Sequence, residues 1–192
     1  MIEIRIHGRG GQGNVVAAYL LAAAGFDAGL YAQAFPAFGA ERRGAPVTAF
    51  VRLARRPVLR RCAVAHPDVI LVQDPLLLGE PATLAGIDRD TAVLANAGTN
   101  GTPAALARLE ATTASLPATR IAVETIGRPL PNTPMLAAFL ALTEVASIEA
   151  LNEAIDERFA PPVAERNRAA VAAAVAMVPA GAWSEVTDAL GD

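Results

Sequence analysis

Ile2-Glu3-Ile4-Arg5-Ile6-His7-Gly8-Arg9-Gly10-Gly11-Gln12-Gly13, followed by an Ala- and Leu-rich run over residues 14–24, decides the fold of this chain. Apolar residues at every second position over 2–7 predict a strand, and those at helical spacing after Gln12 predict a helix over 12–24. A strand that enters a Gly-rich turn and leaves as a helix gathers free backbone N–H groups and the positive end of the helix dipole at one point. Such a point binds phosphate. Glycine suits it because a Cβ would block positive φ and hold an anion away from the amides. A GxGxxG pattern standing alone also arises as a tight strand-to-helix turn with no ligand. Arg9 and Gln12 within the loop favour a bound polar group.

The 192 residues are 53% apolar, enough for one well-buried domain spanning 1–192. A formal charge of -3 and 18% charged residues argue against a nucleic-acid binder, although all 16 basic residues are arginine. Cys62 is the only cysteine, so the chain can neither close a disulfide nor supply the ligands of an iron–sulfur cluster. No charged leader precedes the first strand, and no apolar run approaches the ~20 residues of a membrane helix. A cytoplasmic location and no membrane partner are expected.

Helix one should bury Val15, Val16, Tyr19, Leu20 and Ala23, with Gly25 as its stop. Residues 30–35 predict a second strand. In a dinucleotide-binding fold that strand ends in an acid that holds the ribose hydroxyls; here it runs into Phe35-Pro36, and Asp27 precedes it as a turn residue. The adenosine half of the NAD signature is missing. Residues 33–46, Gln-Ala-Phe-Pro-Ala-Phe-Gly-Ala-Glu-Arg-Arg-Gly-Ala-Pro, exclude regular structure and carry the pair Arg42 and Arg43, whose planar forks suit phosphate or carboxylate. The same pair could equally be surface arginines beside core phenylalanines.

Residues 48–53 and 56–59 predict an inserted strand pair. Residues 69–72 predict a central parallel strand, 91–95 another, 103–111 a helix and 120–123 the last strand. Ligands lie at the carboxyl ends of such strands, so Gly8 to Gly13, Gln73, Asp74, Asn96 and Glu124 are expected around one crevice. The remainder reads as helices over 134–142, 148–159 and 162–177, with Asn132 or Thr133 capping the first and Ser147 the second. The fold class is α/β: a Rossmann-like three-layer domain with a mostly parallel sheet, an inserted strand pair and a helical C-terminal segment.

Chemistry of its own is scarce. His7 and His66 have no neighbours at metal-ligand spacing, no GxSxG is present, and the absence of lysine excludes a P-loop. No catalytic residue and no metal ligand is assigned.

Gly8-Arg9-Gly10-Gly11-Gln12-Gly13, Tyr31-Ala32-Gln33, Phe38-Gly39, Glu41-Arg42-Arg43-Gly44-Ala45-Pro46 and Asn132-Thr133-Pro134-Met135 together resemble the gamma subunit of 2-oxoacid:acceptor oxidoreductases, the family of pyruvate:ferredoxin oxidoreductase. The resemblance spans nearly the whole chain. It implies a non-thiamine, non-cluster subunit of a multi-subunit enzyme that oxidatively decarboxylates a 2-oxoacid to an acyl-CoA. The substrate could be pyruvate, 2-oxoglutarate, or a branched or aryl 2-oxoacid such as phenylglyoxylate. Thiamine diphosphate and [4Fe-4S] clusters would sit on partner subunits, and electrons would pass to ferredoxin or to a flavin/NAD subunit. Coenzyme A would be the co-substrate, and the chain would bind no cofactor alone. By the same resemblance Gly8, Arg9, Gly10, Gly11, Gln12 and Gly13 face the CoA phosphates, Arg42 or Arg43 supplies a basic contact and Asn132 a polar one, with Asn167 a looser match. A stand-alone NAD-binding or regulatory Rossmann-like protein, or a purely structural scaffold, is the alternative that the glycine pattern alone leaves open.

Overall fold

The computed structural model describes residues 1–37, 45–97 and 103–191. Arg42 and Arg43, with Phe38, Gly39, Glu41 and Gly44, lie outside the described residues. The described elements in chain order are β1 (Ile2–Arg9), α1 (Asn14–Asp27), β2 (Tyr31–Pro36), β3 (Pro46–Ala54), β4 (Val69–Val72), α2 (Pro81–Leu84), β5 (Ala92–Asn96) and β6 (Thr112–Leu116). Then come α3 (Ala118–Ile126), α4 (Asn132–Thr143), α5 (Ile148–Arg158) and α6 (Pro161–Val175), with short 3-10 turns at Pro75–Gly79, Leu106–Arg108 and Ser184–Leu190.

One six-stranded sheet has the order β2-β3-β1-β4-β5-β6. β1 pairs parallel with β4, β4 with β5 and β5 with β6, while β3 runs antiparallel to both of its neighbours, β1 and β2. The inserted antiparallel pair is therefore β2 with β3. Residues 56–59, expected as its second strand, lie in an irregular segment instead. Ile2, Ile4 and Ile6 fill one face of the sheet, in a core with Leu20, Leu21, Leu136 and Phe139. Every residue of α4 is buried. A helix apolar all round has to be wrapped, and it lies against the sheet with α6, α5 and α3 around it. The opposite face is thinner: Ile70, Val72 and Val93 are covered by Leu77, Leu78 and Leu106 from short turns.

Several expectations fail for identifiable reasons. α1 buries Ala17, Ala18, Leu20, Leu21 and Ala24, whereas Tyr19 and Ala23 are exposed and Val15 and Val16 only partly covered. The helix is apolar on nearly every side, so its sequence does not mark the inner face. Gly25 does not end it: a Cβ there would stand 2.5 Å from Leu53 Cδ2, so Gly25 lets α1 lie close on β3. The stop is Gly29, at φ +79, one residue beyond the C-cap Ala28, and Asp27 is the last helical residue. Residues 120–123 belong to α3, not to a strand. Ala118, Ile121, Ala122 and Ile126 supply its buried face at helical spacing. The last strand is Thr112–Leu116, and 103–111 contain only the turn Leu106–Arg108. Ser147 does cap α5, its Oγ accepting from Ala150 N at 3.0 Å.

Candidate functional site

The glycine loop stands at the carboxyl end of β1 and opens α1, as the sequence predicts. Its glycines serve two purposes. Gly11 and Gly13 take φ of +97 and +82, a region that penalises any Cβ. Gly8 instead permits close approach, since a Cβ there would overlap Asn14 Oδ1 and stand 2.8 Å from Gln12 Oε1.

Hydrogen bonds sort the loop amides into two groups. Arg9 N donates to Gln12 Oε1 at 2.6 Å, Gly10 N to Ala45 O at 3.0 Å, and Gln12 N to Arg9 O at 3.0 Å. Those three hold the loop closed. The N–H groups of Gly11, Gly13, Asn14, Val15 and Val16 have no acceptor among the described residues, and Ala17 N is the first of the helix to find one, in Gly13 O at 2.8 Å. They remain available to an anion. Arg9 and Gln12 thus shape the loop: the Arg9 guanidinium is paired with Asp74, Nε to Oδ2 at 2.6 Å, and Asp74 also accepts from Leu76 N at 3.0 Å.

Asn132 is the first residue of α4, and its side chain caps nothing. The capping role is thereby removed. It is 6% exposed, makes no hydrogen bond to a described residue, and its Nδ2 would lie 2.7 Å from a Cβ on Gly13. Its amide opens on a cleft beside the loop, where it is placed to meet a polar ligand. Asn167 is committed elsewhere, donating from Nδ2 to Val163 O at 2.8 Å and accepting from Thr133 Oγ1 at 2.8 Å. Between the loop and the helical segment lies a cleft of about 360 Å³. Gly11, Gly13 and Asn132 form one side, and Val16, Ile126, Leu130, Phe159 and Val163 give it apolar walls. Arg128 and Arg166 line it as well.

The rest of the expected crevice divides. Asn96 is a staple: its Nδ2 donates to Gln73 O at 2.9 Å and to Thr119 Oγ1 at 2.7 Å, and its Oδ1 accepts from Thr119 N at 3.2 Å. Glu124 is exposed on α3 beside Arg120, 3.9 Å away, because its segment is helical. Gln73 is 1% exposed with neither amide atom bonded to a described residue, and Asn14 Oδ1 and His7 Nε2 are likewise buried without partners among the described residues.

Burial, aided by the charge of Arg5, lowers the pKa of His7 to about 4 from its ordinary 6.5. Between pH 6.5 and 4 the unfolded chain takes up a proton that the native chain refuses, so stability falls as pH falls through that window. Urea unfolding should show about 2 kcal/mol less stability at pH 5 than at pH 7, at ~1.4 kcal/mol per unit. His7→Gln should flatten that slope. An unchanged slope would place the titration on another group.

The model of the family described as pyruvate ferredoxin/flavodoxin oxidoreductase matches residues 3–177. The chain belongs to that family. It is similar to the pyruvate synthase subunit PorC of Methanothermobacter marburgensis, 46% identical over 87% of this chain and 92% of the relative. It is similar too to the pyruvate/ketoisovalerate oxidoreductases common subunit gamma of Pyrococcus abyssi, 44% identical over 87% of this chain and 91% of that one. Among solved structures, the pyruvate oxidoreductase subunit PorC of Thermotoga maritima superimposes with a TM-score of 0.79 at 37% identity, covering 91% of this chain and 95% of that chain. Within the family this chain is a gamma-type subunit of the pyruvate and 2-oxoacid:ferredoxin oxidoreductases.

Proposed function

We propose that this gamma-type subunit, acting as one domain over 1–192, contributes to the coenzyme A site of a CoA-acylating 2-oxoacid oxidoreductase and to assembly of that complex. The observation that carries the reading is the meeting, on one cleft, of free loop amides with the Asn132 side chain. Gly8 to Gly13 frame the phosphate site, Asn132 supplies a polar contact, and Arg42 or Arg43 supplies the cation. Partner subunits carry thiamine diphosphate and [4Fe-4S] clusters and deliver electrons to ferredoxin or to a flavin/NAD subunit. The name "common subunit gamma" for the pyruvate/ketoisovalerate relative fits a subunit that does not select the 2-oxoacid.

Sheet order argues against the stand-alone NAD-binding alternative. With β3 inserted, β2 lies two strand spacings from β1, roughly 10 Å, and ends at Pro36 without an acid, so nothing there reaches a ribose on the glycine loop. Assembly is supported by exposed aromatics on α1 and on the sheet's edge strand β2, where Tyr19 is 51%, Phe26 74% and Tyr31 50% exposed.

In the assembled enzyme, Arg42→Ala or Arg43→Ala should remove a charge-assisted contact of about 1.5–3 kcal/mol. The apparent KM for CoA should rise roughly tenfold to 150-fold, while 2-oxoacid-dependent cluster reduction before CoA arrives stays intact. A variant that slows both half-reactions together, or changes neither, removes the pair from the CoA site. Isolated from its partners, the chain should aggregate in light scattering; a stable, monodisperse monomer would count against the assembly role.

A further inference from the structure

We propose that β2, the free edge of the sheet, pairs antiparallel with β2 of a second copy of this chain, so that the two sheets run on as one within the assembled complex. This names one occupant for the apolar surface that the assembly role above leaves open. β2 ends the sheet order, with β3 as its only neighbour. Ala37 N donates to Thr48 O at 2.8 Å, and hydrogen-bonded and non-hydrogen-bonded pairs alternate along an antiparallel ladder, so Tyr31, Gln33 and Phe35 likewise turn their backbone groups to β3. Ala32, Ala34 and Pro36 turn theirs outward. The N–H groups of Ala32 and Ala34 meet no acceptor among the described residues. An unpaired edge is a template for another strand, and folded proteins guard it with charges; Tyr31-Ala32-Gln33-Ala34-Phe35-Pro36 carries none.

The strand is complementary to itself. With Gln33 on the two-fold axis, Ala32 exchanges N–H and C=O with Ala34 of the second copy, and the symmetry repeats the exchange. The next outward pair in that register is Leu30 against Pro36. Leu30 N is already bonded to Gly25 O at 3.0 Å and proline has no N–H, so the ladder closes there without stranding a donor. Side chains agree with the register. The exposed Tyr31 falls opposite the half-buried Phe35 of the other copy, an aromatic cross-strand pair that the symmetry makes twice, while the small Ala32 and Ala34 lie on the side of α1. α1 packs over both β2 and β3, and α4 and α5 cover its inner flank. The outer flank, along the free edge, is left to Tyr19, Ala23 and Phe26, an exposed apolar stripe at i, i+4 and i+7. With strands ~4.8 Å apart, α1 of the second copy comes within about 10 Å, the spacing of packed helices, and covers that stripe. A strand from another subunit would satisfy the edge alone. A second copy satisfies the edge, its ends and the α1 stripe with one symmetry operation.

The test puts a cysteine on the axis, in the complex purified with its partner subunits. A residue that faces its own copy in a non-hydrogen-bonded pair has Cα atoms about 4.5 Å apart, within reach of a disulfide. Gln33→Cys in a Cys62→Ser background should therefore, on oxidation with diamide, convert most of this subunit to a reducible species of twice the chain mass, with a 33–33 disulfide in its peptide digest. Thr113→Cys, on the opposite edge strand β6, should give none. Tyr19→Glu with Phe26→Glu leaves the buried face of α1 untouched and sets like charges across the axis, so it should cut the yield of the linked species about tenfold or more. Native mass of the unsubstituted complex, expected to hold this chain in pairs, reads the same question without any substitution. If the complex holds a single copy, or the new cysteine links to another subunit instead, the second copy is wrong and the assembly role stands. If the glutamate pair leaves the link intact, the joint interface of edge and helix falls. If this chain does not travel with its partners at all, the assembly role fails, and a 33–33 link in the chain alone still decides the pairing.

Discussion

Gly13→Val is expected to weaken the CoA interaction of the assembled enzyme more than 100-fold and to destabilise the subunit by about 2–4 kcal/mol. Two separable causes add. An L-residue at φ +82 costs about 1–2 kcal/mol, more for a β-branched side chain. The new Cβ would also stand 2.7 Å from Asn132 Nδ2 and 3.0 Å from its Cγ, so the amide must swing away from the loop. Affinity suffers along with stability because the movement displaces Asn132 and tilts the free amides of the first turn together. Asn132→Ala in the Gly13→Val background relieves the clash and leaves the φ strain. Thermal unfolding should therefore recover part of the lost stability, and CoA affinity none of it. A Gly13→Val complex with parental KM for CoA would show that no ligand phosphate rests on this loop.

The loop was legible in the sequence because strand alternation, clustered glycines and helical spacing meet within a short stretch and agree. β4 and the Ser147 cap were legible for the same reason: each is a strong local signal with its own boundaries. Misreadings fall where local signals are ambiguous. Thr112–Leu116 is a polar edge strand with two exposed threonines, and the apolar run over 121–123 next to it is short enough to fit either helix or strand. The site divides similarly. Asn132 was accessible through the family resemblance, but its freedom from capping shows only in three dimensions. Arg128, Phe159 and Arg166 carry no local signature. They meet the glycine loop because the wholly buried α4 brings α3 and α6 round to the mouth of α1. The roles of Arg9 and Gln12 likewise depend on geometry, since a loop arginine that looks free for an anion is held by Asp74 across the strand ends.

Arg52→Met should lower the stability of the subunit by about 3–5 kcal/mol, the cost of breaking a buried ion pair from one side. Arg52 is fully buried in β3, opposite Glu3 of β1 and Gln33 of β2. Its Nε meets Glu3 Oε1 at 2.7 Å, Nη1 donates to Gln33 Oε1 at 3.1 Å and to Arg60 O at 3.4 Å, and Nη2 donates to Cys62 O at 2.7 Å. The guanidinium also lies 5.4 Å from the centroid of the Phe35 ring. One side chain thus ties three adjacent strands to the exposed segment that carries Arg55, Arg56, Arg60 and Arg61. Methionine keeps the volume and abandons every polar partner, so packing is largely preserved and the loss reports the guanidinium. In a domain of this size that corresponds to a fall of roughly 6–20 °C in Tm. Because β2 and β3 flank the stretch bearing Arg42 and Arg43, loosening their register should also raise the apparent KM for CoA, more modestly than Arg42→Ala does. Trypsin gives an independent reading within the intact complex: the segment over 55–61, released from the sheet, should be nicked many times faster than in the parent. If Arg52→Met leaves both Tm and nicking rate unchanged, the segment is held by something other than this guanidinium.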